Sequence, residues 1–381
     1  MTSRADLLRL LTEACELEHG LACSYLYSAM TLKQRPDEES LPAAQLPLVR
    51  QWASQVYFVA SQEMLHLAQA WNLLTALGGT PYYLRPNFPQ GTHYYPLHRR
   101  LALEAYGAPA LERFVEYERP AAAVPVRAAD DTNFTTIGEL YDVIERGIVA
   151  LPDAVIGDPE AQVGSDLIDF PTIVKVVDVD SAQRAIHLIT HQGEGNPVDR
   201  RDCHFGIFTD LRVAYTRERL RNPRFEPAAP SLKNPAVDTS EDYGAPHATL
   251  IANLDTRAVA QQFDGLYSLM LRMLGYAFNS SGAAALRRRL GQQAIVLMAT
   301  VLKPLGEALT HMPAAQPGGA TAGPSFGLTR HVMLPANARA ARLLVDERLA
   351  EITRHLETRA AAAPEIARVM GPLRRLAAIQ D

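Results

Sequence analysis

The sequence predicts a mostly α-helical protein, a four-helix bundle with one long crossover plus a further helical region, and three observations predict it. Apolar residues recur at three- and four-residue steps in four segments of the first half, the period of helices with one buried face. A long stretch rich in Pro and aromatic residues, from about 85 to 133, separates the first pair of segments from the second. Beyond a Pro-rich connector, PRFEPAAPSLKNPAVDTSEDYGAP, three more helical patterns follow. Residues 1–222 therefore read as the bundle and 223–381 as a C-terminal helical region packed on it.

The first helix spans about 5–30, with Leu7, Leu11, Leu21, Tyr25 and Ala29 along one stripe. The second spans about 48–77 with Trp52, Val56, Ala60, Leu67 and Leu74, and Gly78-Gly79-Thr80-Pro81 stops it. The crossover carries a short helix near 109–117, and its segment 82–95, rich in Pro and Tyr, reads as a lid over a substrate channel. The third helix opens on a capping box, Thr136-Ile-Gly-Glu139, and carries Leu140, Tyr141, Ile144 and Ile148. IVKVVDVD then reads as a short extended piece before a fourth helix, opened by Asp180-Ser181, with Ala182, Ile186 and Ile189 inward and Gly193-Glu-Gly195 at its end. Further helices are expected near 256–278, 282–311 and 336–356. The stretch 313–327 reads as a flexible loop by composition, and Arg287-Arg288-Arg289 as a solvated helix face.

Composition excludes several classes. At 381 residues with 48% hydrophobic and 21% charged residues, the chain is neither fibrous nor extensively disordered. Its formal charge of −5 offers no basic field for nucleic acid or an anionic membrane. Cys15, Cys23 and Cys203 form no CxxC pair, which argues against a disulfide framework or a thiolate zinc site and fits a reducing, cytoplasmic setting. The N-terminus does not read as a signal peptide, and AIVLMATVL is far short of the roughly 20 residues a bilayer demands. There is no nucleotide-binding glycine fingerprint, no GxSxG elbow and no periodic repeat.

The residues that point to chemistry are carboxylates and histidines on apolar stripes. Glu63-Met-Leu-His66 lies mid-helix, and three residues advance a helix by about 300°, so both side chains lie near the stripe of Val56, Ala60 and Leu67. Taken alone, ExxH describes a surface pair equally well. Glu18 falls seven residues after Leu11 and points inward, where a carboxylate is costly unless paired or bound to metal. On the third helix Glu145 can reach inward, while Glu139 faces away and has a capping role. His187, His191 and Glu194 form one row on the fourth helix, and His204 follows in RDCHFGIF. Tyr25 and Tyr141 lie on the inward stripes, where they are core residues or partners able to hydrogen-bond a ligand or pass electrons. A carboxylate from each of two helices with a Glu/His pair from each of the others is the inventory with which a bundle holds two metal ions. Carboxylates with one imidazole per metal suit iron, with manganese second, better than zinc.

The stretches LEHGLACSYLYSA from Leu17, EMLHLAQAWNLLTALGGTP from Glu63, TIGELYDVI from Thr136 and DVDSAQRAIHLITHQGEG from Asp178, with His204-Phe205 and later GLYSLMLRML and GPSF, resemble the ferritin-like domain family typified by iminophenyl-pyruvate dimer synthases. The resemblance covers nearly the whole chain. It implies a ferritin-like four-helix core and a non-haem dimetal centre, and residue by residue it supports Glu18, Glu63, His66, Glu194 and His204, leaving Glu139 and Glu145 open. Two departures stand out: His191-x-x-Glu194 has the reversed order of ExxH, and this chain has HQGEG where the family has EQGEG. The expected activity is that of a non-haem diiron oxidase or oxygenase using O2 on a small amine- or amino-acid-derived metabolite. The alternatives are a ferroxidase and a metal-free partner subunit of a biosynthetic complex. The implied partners are a small-molecule substrate, an electron donor or pathway protein, and a second copy in a homodimer.

Overall fold

The computed structural model describes residues 3–35, 41–91, 100–120, 134–168, 170, 172–193, 201–279, 283–315, 319–328, 333–360 and 363–378. Its frame is a helical hairpin of α1 (Arg4–Thr31) and α2 (Leu46–Ala76). The Ser3 hydroxyl accepts from the Asp6 N–H and starts α1. Pro47 falls in the first turn of α2, where its missing N–H costs nothing. The crossover contains α3 (Ala108–Tyr117), followed by α4 (Ile137–Ala150) and α5 (Val179–Gly193). Pairing of α1 with α4, α2 with α5 and α4 with α5 closes the four-helix core. Half of the expected capping box forms as read, with Thr136 accepting from the Glu139 N–H, while Glu139 reaches one residue further back, to the N–H and hydroxyl of Thr135.

A sixth helix, α6 (His204–Arg221), packs on α3 and was not expected from the sequence. Only His204, Phe208 and Leu211 of it are buried, so TDLRVAYTRERLR shows no sustained apolar stripe to read. The C-terminal half comprises α7 (Leu254–Ala277), α8 (Ala284–Leu297), a π-turn (Met298–Leu302), α9 (Lys303–Leu309), α10 (Ala338–Ala360) and α11 (Ala367–Ala377). The sequence reading missed α11. One hydrophobic core runs from Leu7 on α1 to Leu376 on α11. Among the described residues no helix is long and apolar enough to cross a membrane.

Three expectations are corrected. Of the stretch 82–95 expected as a lid, residues 92–95 lie outside the described residues and 82–91 form a fastened strap, with Tyr83, Arg85, Asn87 and Phe88 buried. Asn87 donates to Tyr243 O and Leu328 O and accepts from the Leu328 N–H, and Arg85 donates to Phe326 O. In the stretch read as a flexible loop, Ser325 and Phe326 are buried, and Asp264 accepts from the Ser325 hydroxyl and the Gly327 N–H. These bonds hold Phe326 at a φ of +48°, a conformation few non-glycine residues adopt. Arg287 is buried too, donating to Ala277 O and Glu160 O, so that part of the arginine cluster is internal.

The β-branched run before α5 is not paired into a sheet, because side-chain amides take its backbone groups. Gln69 exchanges two hydrogen bonds with Val174, and Asn72 donates to Val163 O and Val174 O while accepting from the Val163 N–H. Asn72 is fully buried. Asn72→Leu keeps its size but strands the N–H and C=O of Val163, while Val174 O keeps its bond from Gln69. At about 1–3 kcal/mol for each buried group left unpaired, it is expected to cost about 3 kcal/mol, measured as a lower denaturant midpoint at unchanged slope.

Candidate metal centre

Five ionisable side chains from four helices meet in the bundle interior. Glu18 comes from α1, Glu63 and His66 from α2, Glu118 from the end of α3, and His204 from the start of α6; none is more than 2% exposed. Two sub-clusters share Glu63. His66 Nδ1 lies 3.4 Å from Glu63 Oε2 and 3.5 Å from Glu18 Oε2. His204 Nδ1 lies 2.7 Å from Glu63 Oε1 and 3.5 Å from Glu118 Oε2. The two imidazoles stack with centroids 5.3 Å apart. Ligand atoms of Glu63, His66 and His204 all fall within 4.8 Å of one another.

The surroundings fix which nitrogen faces inward. His66 Nε2 donates to Gln192 Oε1 at 2.9 Å, and His204 Nε2 donates to Gln62 Oε1 at 3.1 Å. In the neutral ring each Nδ1 therefore presents a lone pair to carboxylates that also only accept. Tyr141 donates to Glu18 Oε1 at 2.7 Å, and Tyr25 donates to Glu118 Oε1. Glu18 Oε2, Glu63 Oε1 and His204 Nδ1 have no hydrogen-bond partner among the described residues. The last two lie 2.7 Å apart, an ion pair once the ring is protonated. Acceptors converging without donors need cations between them, and protons or metal ions are the two that fit.

Without metal, protons fill this role. Burial pushes the Glu18 carboxyl up to about 8 despite the nearby His66. Burial, with the charge of Glu63, raises Glu118 as well. Burial opposes charge on His204, but Glu63 and Glu118 outweigh it and lift the imidazolium to about 9; Glu18 and Glu63 likewise raise His66. Burial also opposes charge on Glu63, yet His204 and His66 hold its carboxyl well below the usual range. A cleft of about 10 Å³, the size of one water, adjoins the cluster beside Ile137, Ile189 and Thr190.

Of the residues singled out from sequence, the structure brings together Glu18, Glu63, His66 and His204, with Tyr25 and Tyr141 bonded to the carboxylates. It does not bring Glu139, Glu145 or His191 there. Glu139 is spent on its cap, Glu145 accepts from Gln183 and pairs with the largely exposed His187, and His191 is exposed. Glu194 lies outside the described residues. Glu118 was missed. Its signal was the inward stripe Leu111, Phe114, Tyr117, which it continues at a seven-residue step from Leu111, the same period that picked out Glu18. Gln62 and Gln192 were also missed, since an amide beside a ligand histidine has no spacing signature.

A family model described as Ferritin-like matches residues 11–213, more than half of the chain's 381 residues. Over 414 aligned residues the chain is 27% identical to dichlorochromopyrrolate synthase of Lentzea aerocolonigenes, covering 97% of this chain and 40% of that protein. It is 30% identical over 348 residues to 2-imino-3-(indol-3-yl)propanoate dimerase of Chromobacterium violaceum, covering 84% of this chain and 34% of that protein. The chain thus spans well under half the length of both relatives, which are named as enzymes. A ferritin-like protein from Caulobacter vibrioides superposes with a TM-score of 0.53 at 18% identity, over 77% of this chain and 94% of that one, a likeness of fold. With its helix pairs, its crossover and the matched span in agreement, the chain belongs to the ferritin-like family.

Proposed function

We propose that this protein is a dimetal, most simply diiron, oxidoreductase that uses O2 on an amino-acid-derived aromatic metabolite. The observation that carries the reading is Glu63, whose two oxygens each meet a different histidine, and each of those histidines meets a different second carboxylate. Such a set would hold two metal ions with Glu63 common to both, and its oxygen-rich character suits iron or manganese. Glu18 and His66 would complete one side, Glu118 and His204 the other. A ferrous pair held by these residues would supply two electrons for O2 chemistry. The chain's own residues do the positioning: Gln192 and Gln62 fix the imidazole tautomers, and Tyr141 and Tyr25 hold Glu18 and Glu118 in place. The relatives' names supply the substrate class, since an indolyl iminopropanoate is an amino-acid-derived aromatic acid.

Iron-loaded protein is expected to consume O2 in proportion to an added indole-bearing amino or imino acid, read with an oxygen electrode. Equal Fe(II) oxidation with no organic substrate would make it a ferroxidase instead.

The pH behaviour has opposite signs with and without metal. Glu18 holds its proton to about 8 when folded against 4.5 ordinarily, and His204 to about 9 against 6.5. The metal-free fold binds more protons than the unfolded chain over these windows, so its stability falls as pH rises from about 4.5 to about 9. Metal must displace the same protons, so Fe(II) or Mn(II) affinity is expected to rise across the upper part of that window. Calorimetric titration in buffers of different ionisation enthalpy should register proton release; release of none would contradict the assignment.

A further inference from the structure

A cavity of about 580 Å³, lined by none of the five residues of the carboxylate cluster, lies between the α1–α2 hairpin and α7, α8 and the π-turn. Its α1 wall is His19, Ala22, Cys23, Leu26 and Met30, one stripe at helical spacing; its α2 wall runs from Arg50 to Trp71. Close-packed interiors leave few voids larger than a water, so one of this size is a built space in the range of ligand sites. It opens where Arg50, Ser54 and Ala299 are exposed, and ends at buried Tyr267, whose hydroxyl meets His19 Nε2 and Cys23 Sγ.

Two features define what fits. The walls are aromatic and sulfur-rich: Trp71, Phe263, Phe278 and Phe326 face the space, as do four of the chain's nine methionines, which adapt to flat rings and contact them favourably. Among the described residues no Asp or Glu lines it, while Arg50 and Lys303 stand at the mouth. Lys303 is paired with Glu307, but no carboxylate among the described residues pairs with Arg50, whose Nε donates to Gln34 O. The π-turn supplies Met298, Ala299 and Leu302 to the rim, and such turns are concentrated at functional sites.

We infer that this cavity binds an extended aromatic carboxylate, rings between the hairpin and the C-terminal helices and the carboxylate on Arg50. The site is separate from the metal centre and works in metal-free and metal-loaded protein alike. The test is a fluorescence titration of the full chain, in both forms, with 1-pyrenebutyrate, neutral 1-pyrenebutanol and dodecanoate. Saturable one-to-one binding of pyrenebutyrate is expected. Arg50→Gln should weaken it about tenfold, the loss of one charge-assisted contact, without changing pyrenebutanol binding. Ala68→Trp should weaken both pyrene probes at least tenfold with metal content unchanged. Ser54→Trp does the same from an exposed position, should the buried replacement disturb folding. Absence of saturable binding, or binding indifferent to both tryptophans, would overturn the site. Dodecanoate binding tighter than pyrenebutyrate would overturn the aromatic assignment, and an Arg50→Gln variant that binds pyrenebutyrate like wild type would overturn the carboxylate's place.

Discussion

Glu63→Ala is expected to abolish metal retention, lowering Fe(II) affinity more than 100-fold, beyond the 10–100-fold carried by residues that only orient a ligand. Both sub-clusters pass through this one side chain: Oε2 faces His66 beside Glu18, and Oε1 faces His204 beside Glu118. On the proposed dimetal reading, removing it would deprive both metals of a donor, whereas His66→Ala would remove a donor from one. The metal-free fold should tolerate the change better than loss of a buried ion pair suggests, because the two imidazoles can then become neutral with their Nε2–H groups still bonded to Gln192 and Gln62. Elemental analysis with circular dichroism separates the two effects. A Glu63→Ala protein that folds and keeps its metal would remove the bridging role.

Glu118→Gln and Glu145→Gln should part company. Glu118 faces His204 from the end of α3 and takes the Tyr25 hydroxyl, so its amide variant is expected to lose one of the two metals and most O2 turnover. Glu145 belongs to a partly solvated pair with His187, of a kind that contributes about 0–1 kcal/mol. Its variant should keep both metals and near-native stability. Metal content of the two variants side by side decides between the α3 carboxylate and the α4 carboxylate as donor.

That contrast also shows how much was legible in the residues. Periodicity locates α1, α2, α4 and α5, because each buries one apolar stripe against the same core. It also finds Glu18, Glu63 and His66, because a charged group on such a stripe conflicts with burial unless something compensates it. The donor from the crossover was not legible in the same way. A bundle template puts the fourth carboxylate on the third bundle helix, yet α4 contributes Tyr141 to the cluster, and α3 with α6 bring Glu118 and His204 in from outside the four helices. Helix α6 went unread because most of its surface faces away from the core. The packing of residues 319–327 rests on Asp264, more than fifty residues earlier, a partner that local composition cannot announce.

The most direct test of the dimetal centre is the metal content of the wild-type protein after anaerobic reconstitution with Fe(II) and removal of free metal. Five buried ionisable groups arranged as two carboxylate–imidazole sets around Glu63 predict about two iron ions per chain. Iron at trace level, with Mn(II) equally unretained, would rule out the dimetal centre and leave the cluster as a buried, proton-stabilised network.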